Sequence, residues 1–317
     1  MNINKLPILH NFSNPLRILT FGMIILSSVI LVLIFGIVIA VPFFGQDVME
    51  KLALMGNSND PEIISMAKYF QIVSQVGTFL LPAFLFAYLD GRKTLSYLKL
   101  NVMPELRTMI AACITILAAV PLINFLSELN QQMSLPSSMA DIEHWMRSSE
   151  DNASQMTETF LNVTTTGGFL INLLMIAIIP AVGEELLFRG VLQKLFSQWT
   201  KNVHVAVILA AFLFSAIHFQ FYGFIPRFLM GVLLGYTFVW SGSLWVPILI
   251  HFTNNFSAVI VSCFYNSGKA VNPFDTIGTG ETALVPVLIS ITATTVLIYL
   301  LFYFEKQKHL KTSELHK

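Results

Sequence analysis

Residues 18–44 read ILTFGMIILSSVILVLIFGIVIAVPFF, without one charged side chain. A helix rises about 1.5 Å per residue, and roughly 20 apolar residues cross the hydrocarbon of a bilayer. This run exceeds that length. It is too long for the apolar part of a signal peptide and ends in no small-residue cleavage site, so it is expected to stay as a span. Seven further apolar runs follow, at 69–90, 108–126, 168–189, 203–219, 228–241, 244–265 and 283–304. The expected fold is therefore an all-α, polytopic transmembrane bundle of about eight spans. The sixth run is short and holds Gly231 and Gly235, which predicts a tilted or broken span, or one packed closely on a neighbour.

Composition agrees. Of 317 residues, 55% are hydrophobic and 11% charged, and the net charge is zero. Soluble domains carry about 25% charged residues, so a soluble core is excluded, and a neutral chain offers nothing to nucleic acid. The two cysteines, Cys113 and Cys263, both lie in apolar runs and build neither a disulfide scaffold nor a cysteine metal site.

Orientation follows from Lys and Arg. With the N-terminus inside, the inner segments carry thirteen, among them Lys5, Arg17, Arg92, Lys194, Lys311 and Lys317. The outer segments carry five: Lys51, Lys68, Arg147, Arg227 and Lys269. The positive-inside bias predicts that both termini are cytoplasmic. The domain reading is then N-terminal spans of unknown role over 1–126, an external, partly ordered connecting loop over 127–167, a chemistry-bearing core over 168–265, and a last span with a cytoplasmic tail over 266–317. Membrane lipid is the surrounding partner, and in a bacterial host the membrane is the plasma membrane. Trp199, Trp240 and Trp245 stand at span ends, as interfacial anchors do.

The first three spans carry no ionisable residue in their interiors on this reading. Those that remain gather between 184 and 251. An ionised group at the bilayer centre costs roughly 2.5 kcal/mol or more, so each needs a compensating reason. In Ile179-Pro-Ala-Val-Gly-Glu-Glu-Leu-Leu-Phe-Arg-Gly190, Glu185 and Arg189 stand four apart and share a helix face, as an ion pair does. Glu184 points about 100° away and lacks such a local partner, leaving it free to accept a proton as a general base. Pro180 removes a helical hydrogen bond just upstream, and Gly183 leaves room for close approach. Phe214 precedes His218 by one turn, deep in the fifth run. His251 precedes Asn255 by one turn in the seventh, so each pair shares a face. His10, His309 and His316 fall in tails, His144 in the loop and His204 at a membrane edge. Asn254 faces elsewhere on its helix.

A carboxylate and an imidazole can activate water, while a second imidazole and an amide can stabilise an oxyanion. That combination suits hydrolysis of a peptide bond. The same Glu184, His218 and His251 could instead hold a catalytic zinc with one open position. These residues do not choose between the two. Two other classes stay in view: a non-catalytic membrane binding or immunity protein, and a proton-coupled carrier. The carrier is disfavoured because no internal repeat pairs the halves.

Glu184-Glu185-x-x-x-Arg189, Phe214-x-x-x-His218 and His251-x-x-x-Asn255, in that order on separate helices, resemble the CAAX protease and bacteriocin-processing (CPBP, or Abi) family of intramembrane proteases. The likeness covers roughly residues 165–265. It implies Glu184 as the base for water with His218 holding it, His251 and Asn255 at the oxyanion, and Glu185 with Arg189 in support. It also implies a helical bundle with a cavity open towards the cytoplasm, and a metallo- or glutamate-protease mechanism. Implied substrates are peptides or proteins, prenylated or leader-like.

Overall fold

The computed structural model describes residues 8–9, 11–55, 60–91, 93–265 and 273–315. His10, His316, Lys5, Arg92, Lys269 and Lys317 lie outside the described residues. For His309 and Lys311 only the helical backbone is described.

Helices account for nearly all of the described chain, and no strand occurs among the described residues. Helix α1 runs Asn14–Phe44 and α2 Pro61–Asp90. A bent pair, Leu106–Ala118 and Val120–Gln131, forms α3, followed by α4 Ala140–Leu161, α5 Thr166–Thr200 and α6 Val203–Ala216. Helices α7 Phe224–Ser241, α8 Trp245–Tyr265 and α9 Leu284–Leu315 complete the bundle. Helical rods stand at each of the eight apolar runs. By length and composition six could cross a membrane, or seven if the α3 pair, bent by 40°, is one span. The remaining one, α6, has 14 residues and is about 21 Å long, short of a full crossing.

Local chemistry sets the helix ends and their irregularities. Asp60 caps α2 by accepting from the Glu62 amide, with Pro61 in the first turn. Thr165 caps α5 through the Gly168 amide, and Asn202 caps α6 through the His204 and Val205 amides. The Gly242 backbone, at φ +59°, ends α7. Pro82 and Pro180 each sit just after a π-helical stretch, Val76–Leu80 in α2 and Leu173–Ile178 in α5. A proline lacks an N–H and its ring crowds the carbonyl one turn back; a widened turn accommodates both. The two irregular stretches meet. A Cβ on Gly183 would lie 2.9 Å from the Phe79 Cβ, so only glycine lets α5 approach α2 so closely.

The ends of the spans are tied in layers. Arg17 pairs with Asp90 and donates to Gln198 Oε1 at 2.7 Å, placing the start of α1 level with the ends of α2 and α5. At the same end the Trp245 indole donates to the Leu100 carbonyl at 2.9 Å, so this tryptophan anchors a loop as well as a span end. Many large apolar side chains of α1 and α9 are exposed, among them Leu19, Leu26, Phe35, Leu284 and Ile289. Faces this apolar require lipid, and the chain is an integral membrane protein.

Three readings change. The sixth run is an unbroken 18-residue helix, α7, whose glycines pack closely; the fifth is the short one. The second span starts at Pro61, so Lys68 is buried inside it rather than lying in an outer segment. The stretch read as an external loop contains the 22-residue helix α4.

Lys68 explains how α4 is held. Its ammonium donates to the Phe160 carbonyl and to Asn172 Oδ1, both at 2.8 Å, and Asn172 Nδ2 donates to the same carbonyl at 2.6 Å. The last turn of α4 is thus clamped between α2 and α5. Lys68→Met is expected to release it, speeding amide hydrogen exchange over residues 156–165 by at least tenfold while the spans stay protected. Exchange mass spectrometry in nanodiscs checks this; unaltered protection of that segment would contradict the clamp.

Candidate functional site

Glu184 and Glu185 lie where α5 returns to regular helix over Ile179–Glu185, between two π-helical stretches, the second spanning Leu186–Leu192. Wide turns of this kind recur at functional sites because they redirect side chains that an ideal helix would space evenly. Both acids are buried, Glu185 completely.

Glu185 is the ion-paired member of the two, through one of its oxygens; its Oε2 has no hydrogen-bond partner. Its Oε1 accepts from Arg189 Nη1 at 2.7 Å and from His251 Nδ1 at 2.9 Å. Arg189, also fully buried, sends Nη2 to the Gly231 carbonyl at 2.9 Å. One turn on, Gln193 Nε2 donates to the Gly235 carbonyl at 3.1 Å. Two donors four apart on α5 therefore meet two carbonyls four apart on α7. Glycine is needed at both acceptors. A Cβ on Gly231 would stand 3.0 Å from the Ala211 Cβ, and one on Gly235 would stand 2.8 Å from Val207 Cγ1. The expected ion pair is present, and it also fixes the register between α5, α7 and α8.

Glu184 has no such partner. Its Oε2 makes no hydrogen bond, and the one basic nitrogen of the described residues within 4.0 Å is His218 Nε2. His218 lies two residues past the end of α6, not deep inside it, because α6 stops at Ala216. Its Nδ1 is 2.8 Å from the Phe214 carbonyl. A carbonyl can only accept, so Nδ1 carries the proton, and Nε2 faces Glu184 as an acceptor in the neutral ring. Phe219 follows at φ +52°, a left-handed conformation uncommon for a bulky residue, and it turns the chain away immediately after the histidine.

Phe214 is the hub. Its buried ring packs edge-on against His218 (5.4 Å between centroids), His251 (5.8 Å) and Phe188 (5.4 Å), and Arg189 Cζ lies 4.7 Å from its centre. Residues from α5, α6 and α8 that are remote in sequence are brought together around one aromatic ring.

Asn255 serves the backbone first. In an ideal helix the amide at position 180 would donate to the Ile176 carbonyl; Pro180 has none, and Asn255 Nδ2 donates to that carbonyl at 3.1 Å. Its Oδ1 accepts from Asn254 Nδ2 at 3.1 Å, leaving one N–H of Asn255 unspent. Glu184, His218 and His251 are not drawn into a ligand set. Among the described residues no three His, Cys, Asp or Glu side chains are arranged to hold a metal, and His251 has its Nδ1 turned to Glu185.

Sequence reading missed the residues that border the turn after His218. Arg227, half-buried at the start of α7, donates Nη2 to Gln220 Oε1 at 2.7 Å and interacts electrostatically with Glu184 and His218. Helix α4 covers the turn before it: Glu150 Oε2 accepts from the Tyr222 amide at 3.1 Å, Arg147 lies 4.5 Å from the Tyr222 ring centre, and Trp145 packs on Phe221. Burial pushes the Glu150 carboxyl above its ordinary range, with the Tyr222 amide and Arg227 opposing. No periodicity marks these residues; only Arg227, a charge six residues into an apolar stretch, carried a signal. His204, at its exposed edge, bonds Tyr236 through Nδ1 at 2.8 Å.

Residues 166–257 match the family model of Rce1-like, type II CAAX prenyl endopeptidases. An uncharacterized protein of Bacillus subtilis (strain 168), YpbD, is 34% identical over 85 residues, which are 26% of this chain and 40% of that protein. The chain thus spans less than half the length of this curated relative. No solved structure matches significantly. The matched segment contains Glu184, Glu185, Arg189, Phe214, His218, His251 and Asn255, and it supports the resemblance to the CPBP/CAAX protease family that these motifs carry.

Proposed function

We propose that the protein is an intramembrane endopeptidase in which Glu184 and His218 activate water. The observation that carries this is the 4.0 Å separation between Glu184 Oε2 and His218 Nε2, with no partner on the carboxylate oxygen. The gap is too long for a direct hydrogen bond and suits one bridging water. Both facing atoms are acceptors. A water between them donates both hydrogens and presents its lone pairs outward, as a nucleophile must. Glu184 takes the proton as the water attacks the scissile carbonyl, then passes it to the leaving amine.

The oxyanion falls to the α8 side. Asn255 has one N–H left for it. His251 keeps Nδ1–H on Glu185, so Nε2 donates only when the ring holds both protons. Hydrogen-bond donors fixed in place beforehand are worth roughly 3 kcal/mol each at such an intermediate. The substrate class that the family supports is a peptide carrying a prenylated cysteine, in the plasma membrane of a bacterial host.

The test is cleavage of an S-farnesylcysteine peptide by purified protein in nanodiscs, before and after chelation. Cleavage that survives chelation supports glutamate-activated water. Cleavage lost on chelation and restored by zinc would replace it with a metal-activated water, and no cleavage of farnesylated or unmodified peptide would remove the protease reading.

A further inference from the structure

Arg227 holds a charge that the hydrolytic steps do not use. It stands at the start of α7, its Nη2 bonded to Gln220 Oε1 at 2.7 Å and its Nη1 3.5 Å from the Gln220 carbonyl. Both partners are neutral. The guanidinium lies across Gly223, where a Cβ would stand 3.2 Å from Nη2. No carboxylate of the described residues comes within 4.0 Å of it. Glu150 acts on it electrostatically from α4, but its Oε2 is committed to the Tyr222 amide. A half-buried guanidinium without a bonded counter-ion costs desolvation and persists where something compensates.

Its partner Gln220 is two residues past His218, which stands 4.0 Å from Glu184, so the guanidinium is held beside the place where a peptide would be cut. Its planar fork has N–H groups to spare beyond those on Gln220, and that geometry matches a carboxylate. We propose that Arg227 is a specificity-determining residue that binds a carboxylate of the peptide substrate a few residues from the scissile bond. The carboxylate comes either from the substrate's C-terminus or from an acidic side chain. Gln220 aims the fork, and Glu150 on α4 disfavours a second anion. This rests on the endopeptidase reading above.

The experiment measures binding apart from cleavage. Three fluorescent S-farnesylcysteine peptides are used: one with a free C-terminal carboxylate, its C-terminal amide, and that amide with a glutamate beside the cysteine. Dissociation constants are taken by fluorescence anisotropy on Glu184→Gln protein in nanodiscs. One or both carboxylate-bearing peptides are expected to bind about tenfold tighter than the plain amide, and which one does so identifies the source. Adding Arg227→Gln should bring that ratio near one, with Arg227→Lys retaining part of it because a point charge replaces the fork. Gln220→Ala, which frees the guanidinium without removing it, should lower the ratio about threefold and covers an Arg227 variant that does not fold. Equal binding of the three peptides, no binding of any, or an unchanged ratio in Arg227→Gln overturns the proposal. Cleavage by unmutated protein is followed in parallel. Carboxylate-dependent binding without cleavage removes the protease and leaves the Arg227 site; equal cleavage of all three removes the site and leaves the protease.

Discussion

Glu184→Gln is expected to lower kcat for peptide cleavage by roughly 10³-fold while the melting temperature stays the same or rises. The size follows from general-base catalysis, which contributes about 10²–10⁴-fold when the base is positioned. An amide of the same shape cannot take the proton. The stability half follows from Glu184 being the acid without a bond. Its Oε2 has no partner and His218 stands 4.0 Å away, so the amide breaks no ion pair. A buried carboxylate without a partner is a cost to the fold, as strained active sites often are. Steady-state cleavage and thermal unfolding in the same nanodiscs check both halves. Full cleavage by Glu184→Gln would end the role assigned to this residue. A large loss of stability would show that Glu184 is a structural contact after all.

The neighbouring acid should behave in the opposite way. Glu185→Ala leaves Arg189 fully buried without its carboxylate and strips His251 of its Nδ1 partner. Breaking a buried pair from one side costs about 3–5 kcal/mol, so little folded protein is expected. Arg189→Ala should also be severe, because it abandons the Gly231 carbonyl and a contact on Phe214, although Glu185 keeps His251. The double variant should be less damaging than the sum by about 2 kcal/mol, since neither charge is then stranded. Denaturation of the four proteins in detergent closes the cycle. Strict additivity would mean that the pair is not coupled, and the register between α5 and α7 would then rest on Gln193 and close packing.

Some of this was legible along the chain because it is local. Glu185 and Arg189 stand four apart, and helical periodicity alone puts them on one face. The length of residues 18–44 and the scarcity of charge set a membrane bundle before any contact was known. Residues far apart along the chain were harder to place. His218 is read as deep in a span because hydropathy continues through Phe219, yet the helix stops at Ala216, where Nδ1 of His218 turns back to the Phe214 carbonyl. Asn255 is read as an oxyanion donor; that it also answers the carbonyl orphaned by Pro180 depends on α8 lying beside α5. Lys68 was placed outside because the hydropathy of its neighbours falls before the helix begins at Pro61.

The sequence alone determined the class of molecule, the order of its helices and which acid of the pair has a partner within its own helix. These depend on composition and on spacings of one or two turns, over which the backbone geometry is known in advance. The tertiary structure decided what Glu184 faces, that His251 belongs to Glu185, and that α4 and Arg227 both hold the turn after His218. Those depend on the rotation and depth of separate helices, which are set by where glycine allows close approach and where buried polar groups find partners across the bundle. No local pattern in the chain encodes that arrangement.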